Sequence, residues 1–415
     1  MSWSNLHRDS IVADLHTHST LKSFMFNRGL GGKKTRPLSR FFGDGFWPLG
    51  ERITFPKLEE GGVDVVLSTA YILEQGWIDD IRLIKFLLWV FRGVRKKLVD
   101  PTYFDATNAM LDEMENQVKD YNISRSKESR PVSMALSGNE LLANVERGDI
   151  SIVHSIEGAH CLNGELSKRR VEDAVALRPL IENEILINLE HFYNRGVAYL
   201  TLAHFYPNHV APPVFPYPDY GSSHMNWKKA LGGWDMNKGL TSVGIKVVKK
   251  MLDLGMLIDI AHCTPKARSD VYEIVGKRKN CVLASHTGAF SINRDPYNLE
   301  DWELKWLADH DGLIGIIFMN YWISPTDSSL GLKHIEQNIS HVRDVAGADV
   351  IGLGTDFDGF TDPPDEITDA SEMPRLTRYL SCLMSGLGKR KYKDDEIQKI
   401  LGGNAMRLLL EGWKK

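Results

Sequence analysis

Cysteine is scarce in this chain: Cys161, Cys263, Cys281 and Cys382 are the only four in 415 residues, and no two form a CxxC pair. That spacing excludes a disulfide framework and a zinc–thiolate centre. Long apolar runs are missing as well. The most apolar window, residues 77–94, is interrupted by Asp79, Asp80, Arg82, Lys85 and Arg92. It falls short of the roughly 18 continuous apolar residues that a membrane span needs. It predicts an amphipathic helix packed on a core, with Ile81, Ile84, Leu88 and Phe91 on one stripe. An exposed dimer helix, or one lying on a membrane surface, is the alternative. Neither charge sign dominates: 50 basic against 54 acidic residues leave a net charge of −4. Neither nucleic acid nor a membrane is therefore an expected partner. No apolar leader with a cleavage pattern opens the chain, so a cytoplasmic setting is expected, with a periplasmic or secreted one open if a leader was removed.

What the chain does have is an ordinary globular composition, 43% hydrophobic and 25% charged, which excludes disorder, collagen and coiled coil as dominant states. Short Val- and Ile-rich runs recur at 11–15, 63–68, 150–156, 197–202, 256–261, 281–285, 313–318 and 350–354. They are mostly continuous rather than alternating, as in strands buried on both faces. Helical periodicity separates several of them, notably over 242–254, ending at Gly255, and over 334–345, with Gly347 just beyond. Eight strands interleaved with helices predict an α/β fold, a (β/α)₈ TIM-like barrel with long βα insertions. The chain reads as a single barrel domain over 1–415. A barrel of about 250 residues leaves an excess that falls near 19–62, 70–149 and 205–255.

The ends of these runs carry the chemistry. The first leads into His16-Thr17-His18, the third ends at Glu157, the fourth at His204, the fifth at His262, the sixth at His286 and the eighth at Asp356. A parallel barrel opens all strand C-termini onto one face, where active sites sit. Imidazoles and carboxylates together are the donor set for zinc and similar ions. Residues two apart on a strand point the same way, so His16 and His18 can both face the barrel mouth.

With these residues in view, the sequence resembles the renal (membrane) dipeptidase family of metallopeptidases, among the amidohydrolase-like barrels. The matching stretches run in order from Asp14 to about Leu410: GGVDVV, SIEGAH, GVAYLTLAH, GLTSVGIKVVKKMLDLGMLIDIAH, SHTGAF, GLGTDFDGF and GGNAMRLL. The resemblance implies two divalent ions, zinc in the first instance. His16, His18 and Glu157 would hold one, and Glu157, His262 and His286 the other. A hydroxide between them would attack the amide of a small dipeptide-like substrate. It further implies that His204 contacts the substrate and its tetrahedral intermediate, and that Arg294 grips the terminal carboxylate. Asp356 would transfer protons and bind the free amine. Two departures stand out: His18 replaces a usual Asp, and Ile317-Phe318-Met319 replaces the Asn-Phe-Tyr of some relatives. The first leaves a site with one negative charge fewer.

Other candidates are weaker. Tyr206 and His209 are possible substrate contacts, and the Pro-rich stretch 205–221 a semi-rigid wall of the cleft. Trp227 and Trp234 either line that cleft or belong to the core. His154, His160 and Asp358 are support at best, and Cys263 and Ser285 are unneeded as nucleophiles. Competing functions are hydrolysis of a non-peptide amide or N-acyl amino acid, a phosphoesterase of the polymerase-and-histidinol-phosphatase type suggested by ADLHTHS, and a catalytically impaired metal-binding protein. A homodimer is an open assembly.

Overall fold

Eight parallel strands close into a barrel, and a ninth joins it at one edge. The structure, a computed structural model, describes residues 1–32, 50–166, 174–214, 234–324, 331–386 and 388–415. The strands are β1 (Ala13–Thr17), β2 (Val65–Ala70), β3 (Val132–Ala135), β4 (Ile150–Glu157), β5 (Val197–Thr201), β6 (Leu257–Asp259), β7 (Val282–Thr287), β8 (Leu313–Ile317) and β9 (Ile351–Gly354). Their order is β2-β1-β9-β8-β7-β6-β5-β4-β3, and pairing of β2 with β4 closes the ring. Each of the eight expected runs forms a barrel strand, and the fold is the expected TIM-like (β/α)₈ barrel. The strand that sequence periodicity does not reveal is β3. It pairs with residues 150–153 of β4, and β5 with residues 154–157. Since β2 already occupies one edge of β4, the other two share the opposite edge.

Two apolar layers explain why the strands read as continuous runs. Leu15, Val65, Leu67, Val153, Tyr199 and Leu283 pack inside the barrel, where Leu408, Leu409 and Trp413 of the C-terminal segment join them. Alternate residues such as Val66, Ile152, Leu200, Ile258 and Ile314 pack outward into the layer beneath the helices, as a period-2 strand buried on both faces requires. The helix Ser242–Leu254 begins where the Thr241 side chain accepts from the Gly244 N–H, and it stops at Gly255, whose φ of 75° suits glycine. The helix Leu332–Ala346 likewise ends at Gly347, φ 89°.

The window at 77–94 departs from its expected form. It folds as parts of three short helices, Gln75–Asp80, Arg82–Val90 and Arg92–Leu98, because the backbone leaves the helical region at Ile81 and Phe91. The chain changes direction twice, so the single stripe cannot persist: Leu88 is buried but Phe91 is 51% exposed. No helix among the described residues is long and apolar enough to cross a membrane.

Candidate metal centre and active site

Closure of the parallel barrel brings the strand-end residues together at one mouth. His16 lies in β1 with His18 just past it, Glu157 ends β4, and His286 lies in β7. His204, His262 and Asp356 follow β5, β6 and β9. All seven are buried. The Glu157 carboxylate is the hub. Its Oε1 lies 3.5 Å from His16 Nε2 and 3.2 Å from each of His262 and His286 Nε2. Its Oε2 lies 3.2 Å from His18 Nε2 and 3.4 Å from His204 Nε2. The ligand atoms of His16, His18 and Glu157 form one compact group, and those of Glu157, His262 and His286 another.

Hydrogen bonds behind the rings decide where their protons sit. Tyr199 Oη donates to the Leu15 carbonyl (2.9 Å), so it accepts from His16 Nδ1 at 2.8 Å. Ser285 Oγ donates to Asp259 (2.7 Å) and so accepts from His286 Nδ1 at 2.7 Å. Glu74 Oε2 accepts from His204 Nδ1 at 2.9 Å. Each fixed Nδ1–H leaves the Nε2 of a neutral ring as a lone pair. For His16 and His286 that lone pair faces a carboxylate and a second imidazole: the Nε2 atoms of His16 and His18 are 3.3 Å apart, and those of His262 and His286 3.0 Å. Lone pairs set against a carboxylate repel unless a cation lies among them, and Glu157 Oε2 has no hydrogen-bond partner of its own. The donor set fits divalent cations on both sides of Glu157.

Electrostatics follow from the crowding. Burial opposes ionisation of Glu157, but the surrounding imidazoles, His204 foremost, outweigh it and hold the carboxyl well below its usual range. Burial, with His286 next to it, pushes His16 well down. Asp356 sits 3.4 Å from His18 Nε2, and burial raises its carboxyl to about 6 against the pull of His18. Its φ is 56° and that of His262 is 62°; such left-handed non-glycine residues cost about 1 kcal/mol or more and persist where their surroundings over-determine them.

The other candidates separate clearly. Arg294 lies outside the cluster, exposed on the segment after β7, and no hydrogen bond or ion pair engages it among the described residues. Phe205 stacks on His204 with ring centroids 3.9 Å apart, and the Val214 N–H donates to the His262 carbonyl, so residues 205–214 of the Pro-rich stretch do line the mouth. Residues 215–221 and Trp227 lie outside the described residues. Tyr206 packs with Trp77 and Trp234. The His209 carbonyl accepts from the Thr241 hydroxyl, and among the described residues no hydrogen bond or ring contact joins its imidazole to the cluster. His154 pairs with Glu115, and His160 bonds the Ile72 carbonyl. Asp358 accepts from Lys22 and from the Arg52 and Ile53 N–H groups, a loop anchor. Burial pushes the Cys263 thiol far up, which removes it as a nucleophile. Met319 lies near Trp322, which stacks on Tyr297 at 3.9 Å beside His262.

Sequence reasoning passed over Glu74, which is buried and accepts from His204 Nδ1 and from the Phe205 and Tyr206 N–H groups. It also passed over Asp14, which binds the Thr355 N–H and hydroxyl and is raised by burial to about 7. Asp259 is a third, bonded to Thr201 and Ser285. The signal for the last two was present: a carboxylate inside an otherwise apolar strand.

A family model for the membrane dipeptidases, peptidase family M19, matches residues 4–412. The chain belongs to this family. Among curated proteins, it is 32% identical over 187 residues to an uncharacterised protein from the 5′ region of pqqA in Klebsiella pneumoniae, covering 44% of this chain and 65% of that one. It is 26% identical over 269 residues to an uncharacterised dipeptidase of Schizosaccharomyces pombe, covering 65% of this chain and 53% of that one. The match thus spans less than two thirds of either relative. A metallo peptidase of Rhodobacter sphaeroides, solved with a phosphinate mimic of the dipeptide L-Ala-D-Ala, superposes with a TM-score of 0.67 at 18% identity, covering 98% of this chain and 100% of that one. That likeness is one of fold.

Proposed function

We propose that this member of the M19 family is a metal-dependent dipeptidase that cleaves the amide bond of small dipeptides and uses two divalent ions, zinc in the first instance. The observation that carries this reading is the pair of ligand groups sharing one buried glutamate. Ions held there supply positive charge that acidifies water and polarises a carbonyl. The rest is the work of the chain's own residues. Glu157 joins the two groups, and His16, His18, His262 and His286 complete them. His204, held by Glu74 through its Nδ1–H, donates from Nε2, once that nitrogen is protonated, to the oxygen that gains charge as the carbonyl is attacked. Asp356 takes a proton at Oδ1 and returns it to the leaving nitrogen. Arg294 offers an unengaged planar fork to the terminal carboxylate. The dipeptide mimic bound by the Rhodobacter sphaeroides relative supports a substrate of that size.

The test is a panel of L,L- and L,D-dipeptides, N-acyl amino acids and phosphomonoesters, run with chelated and zinc-reloaded protein. Dipeptide turnover that vanishes on chelation and returns with zinc is expected. Turnover that survives exhaustive chelation, or that is confined to the other substrates, overturns the reading. Metal analysis of the reloaded protein should give two ions per chain, and one would mean that His18 impairs its side.

Two further outcomes follow. Arg294→Ala should raise KM for a dipeptide by roughly 10- to 100-fold, the loss of a charge-assisted hydrogen bond, with kcat little changed. A dipeptide amide, lacking the carboxylate, should not sense the change. Asp356, raised to about 6 by burial, must be ionised to accept a proton. The rate should therefore fall as pH drops through a value no higher than about 6, because cations nearby can only lower it. That acid limb should disappear from the residual rate of Asp356→Asn.

A further inference from the structure

The three short helices after β2 carry a surface that the catalytic reading does not use. Leu83, Phe86, Leu87, Trp89, Val90 and Phe91 fall within nine residues and are between 41% and 64% exposed. Residues 81–99 contain six basic side chains, Arg82, Lys85, Arg92, Arg95, Lys96 and Lys97, and no acidic one. Arg95 pairs with Asp100, and Lys97 bonds the Phe24 carbonyl and Asn27. The side chains of Arg82, Lys85, Arg92 and Lys96 make no hydrogen bond or ion pair among the described residues. The chain as a whole is slightly acidic, so this local excess of positive charge is not a by-product of composition.

From this juxtaposition we propose that residues 81–97 form a docking face that lies in the headgroup region of an anionic lipid bilayer. A bare apolar helix face binds a membrane weakly, and stable attachment takes a second signal such as a basic patch. Both are present here, with the aromatic residues interleaved among the cations, as at a membrane–water interface. A second copy of the chain is the less fitting occupant. A two-fold contact through this face would set the cations of one copy against those of the other. The face is also tied to the cleft wall: Trp77, in the helix leading into it, packs on Phe205, which stacks on His204. Docking there would hold the wall of the substrate mouth near the bilayer.

Cosedimentation of the full chain with vesicles tests this. Binding to vesicles of equal parts phosphatidylserine and phosphatidylcholine should exceed binding to phosphatidylcholine alone at least tenfold and weaken with added salt. Lys85→Gln with Arg92→Gln should lower it on the order of 25-fold, about fivefold for each cation. Phe86→Ser with Trp89→Ser should lower it at least tenfold. In both variants the melting temperature and the turnover of a soluble dipeptide should stay at the parental values. Should the serine variant melt early, the glutamine variant decides alone. No cosedimentation with either vesicle, equal binding to both, or a concentration-dependent dimer abolished by the serine pair would each overturn the proposal.

Discussion

Glu157→Ala is expected to lose its divalent ions and at least about 10³-fold in kcat/KM, since charge stabilisation by bound ions is worth several kcal/mol at the transition state. Five imidazole nitrogens converge within 3.5 Å of this one carboxylate. Remove it and both ligand groups lose their shared member together, so the variant should show the loss of two ions rather than one. The side chain is also fully enclosed, and alanine leaves rings facing one another across a void. Because that could unfold the mouth of the barrel, Glu157→Gln is the companion variant: it keeps the volume and removes the charge. Metal analysis, kcat/KM on a dipeptide and a thermal melt on both proteins separate loss of ions from loss of fold. Wild-type metal content together with wild-type kcat/KM in a folded variant would show that Glu157 is not the hub.

The strands were legible because a barrel strand buried on both faces has to be written in continuous apolar residues, as in the LIGII of β8. The same rule hides β3, VSMA, whose two central residues are half-buried and give neither a continuous nor a cleanly alternating pattern. The window at 77–94 misled for a related reason. Periodicity assumes one straight helix, and the breaks at Ile81 and Phe91, where the backbone leaves the helical region, fall at positions that hold neither glycine nor proline. Within the site, His16, His18, Glu157, His204, His262, His286 and Asp356 stood out because metal-binding residue types are unusual at the ends of apolar runs. Glu74 did not, since it lies four residues beyond β2 in AYILEQG, where nothing in sequence marks it. Its importance comes from a residue 130 positions away, His204. Residues that orient others through hydrogen bonds are visible only once the fold places both partners.

Glu74→Gln is expected to lower kcat about 100-fold while leaving metal content and the melting temperature near wild type. The glutamate accepts from His204 Nδ1 at 2.9 Å with one oxygen and from the Phe205 and Tyr206 N–H groups, at 3.1 and 2.8 Å, with the other. Burial opposes its ionisation, but the His204 charge and hydrogen bond hold the carboxyl below its usual range. It therefore acts as an anion fixing His204 with a proton on Nδ1 and steadying imidazolium if Nε2 gains one. Glutamine keeps the volume, and its carbonyl oxygen can still take one of these bonds. The two backbone N–H groups require that oxygen, which leaves the amide –NH₂ facing His204 Nδ1, donor against donor. The ring then relieves the clash by giving up its Nδ1 proton or by rotating, and either change removes the aligned, positively charged donor. An orienting carboxylate of this kind is typically worth 10- to 100-fold, and more where the wrong tautomer is enforced. Since His204 belongs to neither of the two proposed ion-holding groups, the loss should appear in kcat with both ions retained. A merely structural role would lower the melting temperature and leave kcat intact, and a loss of metal would place Glu74 among the residues that hold the ions.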